Sequence, residues 1–492
     1  MAKQPISHAV IRGKVYDSDL LEFGGRGGDI SFLAPDPQGL VGKLALGSPS
    51  KLEDLYTLSF EDILDYLEEL GSRLDLDKNA YMQEALELSG ATAPTTPPIL
   101  RGIYRNLPLM FDRERIRQWC EFSVGIRYLE GWVETPINGA TVGIRAYGSR
   151  ALHIVAGNGP NIGALTLIRG AVTRGDTIIK SPSNDPFTTA AIARTMVDFA
   201  PDHPITRHLS VAYWRGGDEA FERKLYQPHN LEKIVAWGGM ASVKHVTKYI
   251  QPGLELMSLD PKRSVSVVGA GALASEELMR EAGARIAADV GALNQAACAS
   301  CRIAYVMCGT DDDGIEALSR LGHYAYESLM RLPSDVSTKP KRYDPQLKAE
   351  LEALRLNGED WFEVIGGSEG EGAVIVSRTS APVDFYESLD HRTVNLVPVD
   401  SVEEILEAVD AYTQTVGIFP EDLIPELSHR MTLHGAQRFV SLGYSLNGPG
   451  PVGPHDGIEP LRRICKWIIR EIPGPGYTPL WELSEGGAMF MA

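Results

Sequence analysis

Between residues 150 and 250 the chain alternates short apolar runs with stretches of helical periodicity, and this alternation limits its fold more than any other feature. Ala151 to Ala156, Asp176 to Lys180, Leu209 to Trp214 and Lys233 to Trp237 read as strands; Asn161 to Thr173, Pro186 to Phe199, Asp218 to Tyr226 and Ala241 to Ile250 read as helices. Strands separated by helices require crossover connections, so the expected product is a parallel sheet flanked by helices, with ligands bound beyond the carboxyl ends of its strands. A second alternation begins at Ser264 to Val268. It continues through a long helix from Ser275 to about Ala292, strands at Ile303 to Met307, Ala373 to Ser377 and Thr393 to Val399, and a helix from Val402 to Tyr412.

The first 130 residues follow a different pattern. Phe60, Ile63, Leu64, Leu67 and Leu70 share one helical face, with Ser59 as the expected cap and Gly71 as the expected stop. Pro94 to Pro98 reads as a short rigid linker, and Arg113 to Trp132 as a further helix. Beyond the Gly/Pro cluster from Gly448 to Gly457, Glu459 to Arg470 reads as an amphipathic helix.

A length of 492 residues suits two or three domains. The formal charge of −18 opposes general affinity for nucleic acid or an anionic membrane surface. No window approaches a membrane span and the amino terminus lacks the apolar core of a signal peptide, so a cytoplasmic protein is expected. Five scattered cysteines fit a reducing compartment and do not form a disulfide framework. Cys298 and Cys301 spell C-x-x-C, but no further ligands stand at zinc spacing, so no metal is expected.

The candidate chemistry centres on Asn294-Gln295-Ala296-Ala297-Cys298-Ala299-Ser300-Cys301-Arg302, between the long helix and the next strand. A thiolate attacks an acyl carbon without a strong adjacent base, so one displayed cysteine suffices to begin covalent catalysis. A small buried apolar cysteine is the competing reading; the polar Asn294, Gln295 and Arg302 around it favour the nucleophile. Gly157-Asn158-Gly159-Pro160-Asn161-Ile162-Gly163 follows a strand and opens a helix, at a spacing one residue away from the dinucleotide fingerprint. A plain glycine-rich turn explains it equally well, although the Asn158 amide is suited to hold an oxyanion. Lys180 and Ser183 stand after the next strand, where they meet ribose or phosphate, or are simply solvated. Ser183 offers no carboxylate to repel a 2′-phosphate, which favours NADPH over NADH. Gly238-Gly239 permits a pyrophosphate at a helix start, or a tight turn.

Taken in order, Gly157 to Pro160, Lys180, Trp237-Gly238-Gly239, Lys262, Asn294 to Cys298 and Pro454-His455-Asp456-Gly457 resemble the aldehyde dehydrogenase superfamily, and within it the LuxC-like acyl-CoA reductases of bacterial luminescence. The resemblance spans about residues 130 to 470. It implies an α/β fold of aldehyde dehydrogenase type: a mainly helical region at 1–130, a Rossmann-type NAD(P)-binding domain at 131–262, a catalytic α/β domain at 263–450 and a terminal segment at 451–492. It further implies Cys298 as nucleophile, and Asn158 with the Cys298 N–H as oxyanion hole. Lys180 and Ser183 would lie on the adenosine ribose, Gly239 under the pyrophosphate and Glu387 on the nicotinamide ribose. The implied activity is NAD(P)H-dependent reduction of an acyl-CoA to an aldehyde with release of coenzyme A. The implied assembly is a homo-oligomer using Trp132 to Arg145 and the last residues.

One departure bears on the direction of chemistry. Aldehyde-oxidising members carry a glutamate four residues before the lysine here numbered 262; Ser258 occupies that place, with Glu255 three positions too early. The rival readings are an aldehyde-oxidising dehydrogenase using Glu255 as base and a non-catalytic subunit of the same fold. For His455 and Asp456, a structural role in the turn is favoured over a catalytic pair.

Overall fold

The computed structural model describes residues 4–25, 30–358, 360–447 and 453–482. The expected Gly/Pro cluster therefore lies partly outside the described residues, as do the last residues invoked for assembly.

Two seven-stranded sheets dominate the molecule. In the first, the spatial order is Glu255–Leu259, Lys233–Trp237, Arg150–Ile154, Asp176–Lys180, Leu209–Ala212, Ala9–Ile11 and Lys14–Tyr16. The first five are parallel, and the amino-terminal hairpin adds antiparallel at the edge, Val10 opposite Val211. From Arg150–Ile154 the chain winds outward to Leu209–Ala212, then returns to place Lys233–Trp237 on the other side of its starting strand. That reversal opens a crevice above the carboxyl ends of these two strands, where ligands of open α/β sheets bind.

The second sheet runs Phe362–Gly366, Ala373–Ser377, Thr393–Pro398, Cys301–Val306, Arg263–Val268, Thr413–Phe419 and Arg438–Ser441, parallel throughout except for the first pair. Cys301–Val306 lies centrally, which holds the preceding cysteine turn between two neighbouring strands. A third sheet joins Lys466–Ile472, Ala140–Tyr147 and Val133–Ile137 antiparallel, so distant parts of the chain share one ribbon.

Four local expectations are corrected. The helix expected over Arg113 to Trp132 is two, Arg113–Ser123 and Ile126–Glu130, parted at Gly125, whose φ of 78° breaks the helical path. The helix capped by Ser59 runs from Phe60 to Arg73 and passes through Gly71, because a Cβ there would lie 2.5 Å from the Phe111 Cβ; the glycine serves close packing and does not stop the helix. Pro97 begins a helix to Asn106, fitting proline's freedom in a first helical turn, so the supposed linker is partly helical. The helix expected over Glu459 to Arg470 is a short turn, Pro460–Ile464, followed by the strand Lys466–Ile472. Trp467, Ile468, Ile469 and Ile472 favour the strand, and pairing with Ala140–Tyr147 stabilises it.

The amino-terminal helices pack against the first sheet's helices through apolar surface and a few buried hydroxyl contacts. Tyr66 Oη lies 2.6 Å from Thr206 Oγ1, and Asn79 donates to Thr195 Oγ1 at 2.8 Å. Tyr104 Oη contacts Thr188 Oγ1 beside the buried Asp185, tying this region to the loop after Lys180.

Candidate active site

The helix Glu276–Gly291 ends in a single tight turn, Ala292–Gln295, in which Leu293, Asn294 and Gln295 adopt φ of 54°, 54° and 67°. Left-handed backbone at three successive non-glycine residues costs energy and persists only where the surroundings over-determine it. Gln295 supplies much of that restraint: its Nε2 donates to the carbonyls of Cys301 and Thr393, both at 2.7 Å, and its Oε1 accepts from the Thr393 N–H at 2.8 Å. Asn294 Oδ1 accepts from the Thr338 N–H at 2.8 Å. These two residues, read from sequence as a polar environment for the thiol, act as clamps on the loop.

Cys298 follows, half-buried in a turn before the strand Cys301–Val306. Backbone carbonyls near the thiol are held from both sheets. Ser264 Oγ donates to the Cys298 carbonyl at 2.7 Å, and Asn158 Nδ2 donates to the Ala296 carbonyl at 3.0 Å. Asn158 therefore meets the cysteine loop across 138 residues of sequence, while its Oδ1 is buried without a partner. The turn carrying it is tightly fitted: a Cβ at Gly157 would fall 1.7 Å from Asn184 Oδ1, and Asn184 Nδ2 donates to the Gly157 carbonyl at 2.8 Å.

Burial raises the Cys298 pKa above the ordinary thiol value; the adjoining Gln414 amide pulls it down and the nearby Asp456 carboxylate pushes it up. Cys301 is buried, its thiol pushed up to about 12 by desolvation and directed at the Ile303 carbonyl 3.2 Å away, so it packs beneath the loop. Arg302 donates to the carbonyls of Glu387 at 2.9 Å and Leu389 at 2.7 Å, bracing the neighbouring segment.

Gln414 was not singled out from the sequence. The available signal was a long polar side chain between two threonines at the start of a fully buried strand, Thr413-Gln414-Thr415-Val416-Gly417-Ile418-Phe419. Its Nε2 lies 2.5 Å from Asp456 Oδ1, which brings the Pro454 to Gly457 element to the thiol. His455 Nε2 stands 3.7 Å from Asp456, too far for a hydrogen bond, and packs edge-on against Trp237 with ring centroids 5.2 Å apart. Burial, followed by the cations Arg169 and Arg438, pushes His455 down to about 4, so it is neutral near pH 7.

The Glu255 alternative does not fit this geometry. Glu255 opens its strand at the amino end of the parallel sheet, and its carboxylate is held by Lys233 Nζ at 2.7 Å and Arg463 Nε at 2.5 Å. Ser258, not Glu255, occupies the register position toward the crevice, and its hydroxyl donates to Asp260.

On the opposite side of the crevice, Gly239 caps the helix Met240–Thr247, is exposed, and would place a Cβ with nothing within 4 Å. Exposed N–H groups at this terminus suit a pyrophosphate. Lys180 ends its strand, buried, with Nζ 5.7 Å from the ring centroids of both Tyr213 and Trp214. Desolvation pushes its pKa down to about 8 against the opposing pull of Glu222. Ser183 is half-buried in the loop that follows. These groups fit a phosphate-bearing cofactor. Glu387 is exposed and ion-paired with Arg263 in the short turn Tyr386–Ser388. Lys262 donates to the Ala411 carbonyl at 2.9 Å. Lys244 lies on the exposed side of the helix Met240–Thr247, away from its amino end.

Two sheets that meet at a cysteine loop, with a nucleotide-type crevice beside it, define the aldehyde dehydrogenase fold. Solved structures share it over nearly the whole chain. Aldehyde dehydrogenase 21 from Physcomitrella patens, in complex with succinate, superposes with a TM-score of 0.71 at 11% identity, covering 97% of this chain and 100% of that one. NADP-dependent glyceraldehyde-3-phosphate dehydrogenase from Bacillus halodurans, complexed with NADP, gives 0.70 at 11%, covering 96% and 99%.

The chain belongs to the acyl-CoA reductase (LuxC) family, whose pattern matches residues 55–467. A long-chain acyl-protein thioester reductase from Photorhabdus luminescens is 30% identical over 338 residues, which is 67% of this chain and 65% of that protein. The counterpart from Aliivibrio fischeri is 28% identical over 325 residues, 66% of this chain and 64% of that protein. The matched region thus spans somewhat under two thirds of these relatives' length.

Proposed function

We propose that the protein reduces an acyl thioester to an aldehyde through an acyl group carried on Cys298. Residues 131–262 would serve as the NAD(P)-binding domain and 263–450 as the catalytic domain. The observation that carries the reading is the Cys298 turn, braced from both sheets and facing Asn158 at the edge of the crevice. Family membership and the thioester reductases among its relatives support the reductive direction. The ion-paired position of Glu255 removes the nearest candidate for activating hydrolytic water.

In this reading the Cys298 thiolate attacks the acyl carbon, the carrier leaves as a thiolate and takes a proton, and the acyl group becomes a thioester on Cys298. Asn158 and the Cys298 N–H stabilise the oxyanion at each tetrahedral stage. A bound nicotinamide supplies hydride. The resulting thiohemiacetal on sulfur collapses to aldehyde and regenerates the thiolate. Lys180, Ser183 and Gly239 would hold the cofactor, with NADPH preferred because Ser183 presents an uncharged hydroxyl rather than a carboxylate to its 2′-phosphate; Glu387 would reach the nicotinamide ribose only by exchanging its Arg263 partner.

The carrier is either coenzyme A, as the motifs imply, or an acylated protein, as the relatives' names state for themselves. We further propose a homo-oligomer formed through the third sheet, where Ile137, Ile144, Ile468, Ile469 and Ile472 are exposed. Among the described residues no helix is long and apolar enough to cross a membrane. The test is aldehyde formation from a panel of acyl-CoA and acyl-protein thioesters with NADPH or NADH. Aldehyde from at least one thioester supports the reading; acid formed from aldehyde without a thiol acceptor contradicts it.

A further inference from the structure

The Pro454 to Gly457 element contributes a carboxylate that the reaction above does not use. Asp456 has φ 52° and Gly457 φ 74°, a reversal closed by hydrogen bonds between His455 and Ile458 at 2.7 and 3.0 Å. This turn presents the Asp456 side chain inward, only 3% exposed, against Gln414. Gln414 is itself buried, on the strand Thr413–Phe419.

Gln414 is placed beside Cys298 by a backbone clamp. The N–H of Thr415 donates to Ser264 Oγ at 3.2 Å, and the same hydroxyl donates to the Cys298 carbonyl at 2.7 Å. The side-chain amide, held on Asp456 Oδ1, adjoins the Cys298 thiol and acts on it. An amide has a donor end and an acceptor end, whereas an ionised carboxylate only accepts. With Asp456 ionised, the NH2 group must face it, and the second hydrogen on that nitrogen is the one available to sulfur.

We propose that Asp456 is a positioning residue for Cys298: it locks the Gln414 amide with its donor end toward the sulfur, so that the thiolate receives a hydrogen bond that a flipped amide would withhold. The proposal rests on Cys298 being the nucleophile and adds the device that keeps it reactive. Other charges face the pair. Asp260, Lys262 and Arg169 act on Asp456, Arg302 and Arg438 lie within electrostatic reach of Cys298, and neutral His455 adjoins the carboxylate.

Two effects of Asp456 on the thiol have opposite signs, which makes the proposal testable. As a bare negative charge, Asp456 disfavours the thiolate, so Asp456→Asn would speed alkylation. As the lock on Gln414, it favours the thiolate, so the same change slows alkylation. The experiment measures iodoacetamide modification of Cys298 against pH, by peptide mass, in the full-length protein without substrate. Asp456→Asn is expected to slow the reaction about tenfold near pH 7 and to displace the thiol titration upward. Gln414→Met, which leaves the Asp456 turn in place, is expected to slow it by a similar factor, and the double variant to be no slower than Gln414→Met alone. Unchanged or faster alkylation in Asp456→Asn overturns the proposal. Wild-type alkylation in Gln414→Met overturns it independently, should the first variant fold poorly. Alkylation requires neither thioester nor nicotinamide, so failure here leaves the acyl-enzyme reading standing, whereas absence of acyl label on Cys298 removes that reading itself.

Discussion

The turn that carries Cys298 and the turn that carries Gly239 face one crevice, yet they are built in opposite ways. Around Cys298, three left-handed residues are held by the Gln295 and Asn294 side chains, and the Cys298 and Ala296 carbonyls are held by Ser264 and Asn158. At Gly239 a side chain would meet nothing, and the helix start is exposed. A covalent nucleophile benefits from preorganisation because misplacement by about 1 Å costs on the order of 100-fold in rate. A cofactor that enters and leaves each cycle benefits from an accessible cradle. The contrast predicts that substitutions on the cysteine side act on turnover or folding, and those on the cofactor side act on affinity.

The largest expected effect is at the nucleophile. Cys298→Ala should abolish thioester reduction, while Cys301→Ala should keep activity within a few-fold, as measured by aldehyde formation. Equal loss in both variants would break the distinction between displayed and packed cysteines. Asn158→Ala should lower kcat by about 100-fold to 1000-fold with little change in cofactor affinity, measured by steady-state kinetics. An effect confined to KM would move Asn158 to the binding side of the comparison.

On the open side, Lys180→Met should weaken NADPH by about tenfold and NADH by less, as read by fluorescence titration. The pH dependence follows from the lowered Lys180 pKa, about 8 without a phosphate partner. The ammonium is charged below that value and attracts the 2′-phosphate; as pH rises through it the charge is lost. NADPH affinity should therefore fall above about pH 8 while NADH affinity stays flatter. Equal profiles would place the phosphate elsewhere. The smallest expected effect on chemistry, and a clear one on stability, belongs to Gln295→Ala. It removes the Gln295 partner of two buried carbonyls and leaves the Thr393 N–H with only its 3.2 Å bond to the Asp390 carbonyl; an unsatisfied buried group costs about 1–3 kcal/mol, so Tm should fall measurably.

The legibility of the sequence followed the range of the interactions. Asp176–Lys180, Lys233–Trp237 and Ala373–Ser377 have the same limits in sequence and structure, because a strand buried within a sheet carries a short apolar, β-branched stretch that declares itself locally. Gly71 and the segment after Glu459 depart from their local sequence pattern because their conformations depend on distant partners, Phe111 and the strand Ala140–Tyr147. The candidate site divides in the same manner. The cysteine loop and the Asn158 turn stand out by composition and order along the chain. The clamping roles of Asn294 and Gln295, and the contact of Gln414 with Asp456, arise from segments brought together only by the second sheet and the terminal turn.

The most direct test of the central claim is intact-protein and peptide mass spectrometry after incubation with a long-chain acyl-CoA in the absence of nicotinamide. The expected result is one acyl adduct, hydroxylamine-sensitive, on the peptide containing Cys298, and its loss as aldehyde once NADPH is added. An adduct that persists in Cys298→Ala, or aldehyde formation by that variant, would contradict the account.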